Sequence, residues 1–104
     1  MDSNAVINLL GAMVGKDVPS IAFGLAINIK KENGPLTDYD GICNIVKKLF
    51  NDTIPNLPKD LVEDISTTTA CICTGSTEKL NRDRFSSGDV EMVNHFIKSL
   101  KEIE

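Results

Sequence analysis

The chain has 104 residues, is 41% hydrophobic with no Trp, and sets 11 Lys and Arg against 15 Asp and Glu for a net charge of −4. That length makes a single domain over 1–104 with a real core, and the apolar fraction excludes a disordered chain. The acidic balance argues against nucleic acid as a main partner, because phosphate binding needs a cationic face, and no apolar run approaches the ~20 residues that span a bilayer.

The sequence predicts a first helix over 4–14. Ser3 caps it, Val6, Leu9, Leu10 and Met13 recur at i, i+3, i+4 and i+7, and Gly15 stops it. The short turn that follows favours an antiparallel neighbour.

Pro19–Asn33 is the most apolar run in the chain. Ile21, Phe23, Leu25, Ile27 and Ile29 alternate, which is a strand signal, but Ala22 and Ala26 between them favour a helix. The ends decide for helix. Pro19 suits a first turn, Lys30 and Lys31 suit a last turn, and Asn33-Gly34-Pro35 is a stop. With so little polar face, this helix is expected at the centre of the fold.

Thr37-Asp38-Tyr39-Asp40 resembles a capping box for a third helix. Its core stripe is Tyr39, Ile42, Cys43, Val46, Leu49 and Phe50. Asn51–Pro58, with two prolines, is expected to be a connector without regular structure. A fourth helix opens at Pro58 and closes at Gly75. Asp60, Glu63 and Asp64 suit the dipole of its early turns.

Its second half, Thr67–Thr74, is rich in β-branched residues that prefer strands. A strand there would need a partner, and only the segment 20–29 offers one. The alternative fold is therefore α+β, with a two-stranded element from 20–29 and 67–74.

Ser76–Ser86 is polar, with Leu80 in a short turn and Phe85 as an anchor to the core. The last helix starts at Ser87 with Ser86 or Ser87 as its cap. It runs an apolar arc through Val90, Val93, Phe96, Ile97, Leu100 and Ile103. The expected fold is all-α: a compact antiparallel bundle of about five helices around a central apolar helix.

Chemistry is sparse. Cys43, Cys71 and Cys73 with the lone His95 form the one imaginable metal set. On a helix Cys71 and Cys73 point about 200° apart and cannot share an ion, so no metal is expected. No phosphate loop, cofactor motif or catalytic constellation is visible, so the chain reads as no enzyme and needs no cofactor. Lys79, Arg82 and Arg84, beside Ser76, Thr77, Ser86 and Ser87, are the candidate contacts for a partner or an anion. His95, outside the apolar arc, is a further candidate contact.

An odd number of cysteines and an acid at the second residue, where a signal peptide carries bases, lead to the expectation of a cytoplasmic protein with free thiols. Small size, acidity and the lack of catalytic groups favour a non-enzymatic protein-binding module of inhibitor, immunity or adaptor type. The expected size and architecture are similar to those of bacteriocin immunity proteins and small phage-encoded inhibitors, a likeness of architecture with no motif behind it. A homodimer is a further expectation, from the surplus of apolar surface on the first two helices. The rival readings are a small-ligand or nucleotide-binding protein using Lys79, Arg82 and Arg84, and a nucleic-acid-binding regulator.

Overall fold

The computed structural model describes residues 18–33, 38–53, 56–80, 83 and 85–102. The helix expected over 4–14 lies outside these residues. The described chain is all-helical: α1 (Val18–Asn33), α2 (Tyr39–Thr53), α3 (Lys59–Thr74) and α4 (Ser87–Glu102). Both segments of the alternative two-stranded element, 20–29 and 67–74, are helical, and no strand occurs among the described residues.

Local chemistry explains the ends of these helices. Asp38 stands at the N-cap of α2, one residue later than the expected box. Its carbonyl accepts the first helical bond, from the Ile42 N–H at 3.0 Å. The carboxylate folds over Gly41, where a Cβ would stand 2.7 Å from its oxygen. At the other end α2 runs on to Thr53, so 51–53 are helical and not part of a connector.

Pro58 is the N-cap of α3, with no side-chain cap bond. Gly75 ends that helix in the left-handed conformation, φ 77°, where its N–H reaches the Cys71 carbonyl at 2.9 Å. At the start of α4 the Asp89 N–H donates to Ser86 Oγ (3.2 Å) and the Ser86 N–H donates to Asp89 Oδ2 (3.1 Å). This is a reciprocal capping box that settles Ser86 as the cap.

The core has two lobes. Ile21, Leu25 and Ile29 of α1 meet Ile42, Val46 and Phe50 of α2 and Ile65 and Ala70 of α3 in one. In the other, Ala22 and Ala26 of α1 meet Cys71 and Ile72 of α3, Val93, Ile97 and Leu100 of α4, and the anchors Leu80 and Phe85. Thus α1 and α3 form the middle, with α2 on one side and α4 on the other. Pro19–Asn33 is not the sole centre: α3 packs against all three other described helices. The reason is side-chain size. Ser66, Thr68, Thr69, Ala70 and Cys71 are all buried, and such short side chains let three neighbours approach one helix.

Strand-loving threonines tolerate this helix because they satisfy themselves. Ser66, Thr68, Thr69 and Thr74 donate their hydroxyls to the carbonyls four residues earlier, at 2.6–2.8 Å.

The bundle is not uniformly antiparallel. Cys43 meets Ser66 and Lys47 meets Glu63, so α2 and α3 run oppositely. By contrast Ser20 meets Met92, Phe23 stacks on Phe96 and Lys30 reaches Leu100, so α1 and α4 run the same way. The segment 75–86 between α3 and α4 is long enough to carry the chain back for that arrangement.

Candidate binding surfaces

The residues singled out by the sequence fall in different places. Arg82 and Arg84 lie outside the described residues. Lys79 is exposed, and its ammonium stands 4.3 Å above the centre of the Tyr39 ring, a cation–π contact that ties the polar segment to the start of α2. His95 is exposed on α4, its ring tilted against Phe96 at 5.9 Å. Lys79 and His95 therefore have separate neighbours. Two hydroxyls expected beside the basic cluster are engaged in local structure: Ser76 Oγ accepts from the Glu78 N–H at 3.3 Å, and Ser86 caps α4.

Two of the thiols, Cys43 and Cys73, sit in surroundings that favour the protonated form. Burial pushes the Cys73 thiol up to about 11, with the nearby Lys30 ammonium opposing. Cys43 is also raised, first by burial, and its thiol donates to the Ser66 carbonyl at 3.6 Å. Burial pushes the Tyr39 phenol up to about 12, the Thr67 hydroxyl opposing. A thiol nucleophile or metal ligand works as the thiolate, the form that burial disfavours at Cys43 and Cys73. Among the described residues no three His, Cys, Asp or Glu side chains gather into a metal-binding group. No described helix is long and apolar enough to cross a membrane.

Two shallow clefts flank α2. One, of about 440 Å³, lies between α1 and α2, with Ile29 and Leu49 in its floor and Glu32, Ile45, Lys48 and Asp52 around it. It exists because both helices lean on α3 more than on each other. Ile45 is the only large hydrophobic side chain classed as exposed among the described residues, at 38%. The other cleft, of about 430 Å³, lies at the α2–α3 corner, where Phe50, Leu57 and Val62 are bordered by Lys47, Asn51, Lys59 and Glu63. Lys47 and Glu63 pair across it at 2.9 Å.

The signal for the first cleft was in the sequence. Ile45 falls outside the core stripe of its helix and so has no buried face to occupy. The second had no such signal, because Lys47 and Lys59 become neighbours only through the helical corner.

Compared with protein-family models, curated proteins and solved structures, the chain matches none. The functional reading therefore rests on these surfaces.

Proposed function

We propose that the protein is a non-enzymatic, protein-binding module of inhibitor, immunity or adaptor type, and that it engages its partner through the groove between α1 and α2. The observation that carries this reading is Ile45, an exposed aliphatic side chain at the edge of an apolar groove and ringed by charge. An apolar anchor inside a polar rim is the usual anatomy of a small interface. Glu32 and Asp52 outnumber Lys48 on that rim, and the chain is acidic as a whole. A matching partner presents an apolar side chain flanked by Lys or Arg. The odd cysteine count supports a reducing, cytoplasmic setting. A second copy of the chain is a poorer match for this groove, since two acidic rims would face each other.

The test compares wild-type and Ile45→Asp baits in pull-downs from the native host, with helicity checked by circular dichroism. A basic partner held by the wild type and by His95→Ala, but lost with Ile45→Asp, is the expected result. The same capture by all three baits would refute the assignment of the groove.

A further inference from the structure

The cleft at the α2–α3 corner has a chemistry of its own, separate from the Ile45 groove. Its apolar lining comes from Phe50 at the end of the α2 core stripe, Leu57 in the connector and Val62 on α3. Its volume, about 430 Å³, lies within the range of small-molecule sites. The polar border is not neutral. Lys47 and Lys59 contribute two positive charges and Glu63 one negative, which leaves one surplus positive charge in a chain whose net charge is −4.

That surplus is localised. Glu63 is taken by Lys47 at 2.9 Å, and no ion pair joins Lys59 to any described residue. The ammonium of Lys59 and the side-chain amide of Asn51 are then the donors left at the rim, above an apolar floor.

We propose that this cleft binds a small amphipathic monocarboxylate. The apolar body lies on the half-buried Leu57 and Val62, with the buried Phe50 behind them, and the carboxylate is held at Lys59 and Asn51. One surplus charge matches a monoanion. A phosphate, with more charge and more acceptor oxygens, asks for a denser set of donors, typically arginines, and no arginine lines this cleft among the described residues. A cationic amphiphile meets Lys59 with like charge, because the single carboxylate is already paired. The Lys47–Glu63 bridge acts as a fixed wall: the Glu63 partner raises the affinity of Lys47 for its proton and keeps it charged.

The test is an amide-shift titration of the full chain by two-dimensional NMR, with octanoate, octylamine, octanol and acetate as probes. Octanoate is expected to give saturable shifts centred on Asn51, Lys59 and Val62. Octanol should bind more weakly at the same residues, while octylamine and acetate should leave them unmoved. Lys59→Glu, at an exposed position, should keep the fold and weaken octanoate by about tenfold or more. Lys48→Glu, in the other cleft, should leave octanoate binding unchanged. Octylamine binding as tight as octanoate, full affinity in Lys59→Glu, or the absence of saturable shifts would each overturn the proposal.

Discussion

Thr68 and Thr69 are completely buried in the middle of α3, where a hydroxyl without a partner would cost about 1–3 kcal/mol. Each avoids that cost by donating to its own helix, Thr69 to the Ile65 carbonyl at 2.7 Å. The bond is local and does not depend on a neighbouring helix. Removing the hydroxyl therefore leaves no orphan, since the Ile65 carbonyl still stands in the helical ladder. Thr69→Val should change stability by no more than about 1 kcal/mol in chemical denaturation. Thr69→Ala, which removes volume from a closed core, should cost more. The preference of threonine for strands was legible in the sequence. That these hydroxyls satisfy themselves inside the helix is seen only in the structure, and it carries more weight here because the surroundings are apolar.

At the scale of the element, α4 depends on a cap that the sequence placed to within one residue. Ser86 and Asp89 each accept a backbone N–H from the other, which satisfies two donors at a helix start. Ser86→Ala and Asp89→Ala should each cost about 1 kcal/mol. The double variant should cost less than the sum, because the two bonds close one ring of contacts. Thermal unfolding of the four proteins measures this, and full additivity would show that the two bonds act separately. The Gly75 stop of α3 was equally legible, for a Gly after the last apolar turn is a local signal. The overrun of α2 through 51–53 was not, because nothing local distinguishes a last helical turn from the start of a polar connector.

For the whole molecule, the C-terminal ends of three helices are joined at one point. Lys30 of α1 donates to the Leu100 carbonyl of α4 at 2.8 Å and lies near Cys73 of α3. The sequence assigns Lys30 to the dipole of its own helix; in the fold it serves the end of a different one. Cys73 makes this junction sensitive to alkali. Its folded pKa is about 11 against an ordinary 9.0, so the native state holds the proton more tightly than the unfolded chain. The corresponding stability is present below pH 9 and is lost as pH rises from 9 through 11. Cys73→Ser should flatten that part of a stability–pH profile, and a profile equally steep in the variant would assign the loss to other groups.

The sequence by itself determined that the described chain is helical, where the caps and stops fall to within a residue or a few, and which side chains are apolar enough to be buried. These properties depend on neighbours a few residues away. Only the tertiary structure decided which helix lies at the centre. Pro19–Asn33 is the most apolar run, but apolarity measures how much surface must be covered, not how many helices can come close. Short side chains decide the second question, and Ser66–Cys71 has them on every face. Direction was likewise a tertiary matter: α1 and α4 run the same way because the long 75–86 segment permits it. So was the pairing of Lys47 with Glu63, which leaves Lys59 over an apolar cleft. Lys47 and Glu63, 16 positions apart, meet there only because the chain turns a corner between them.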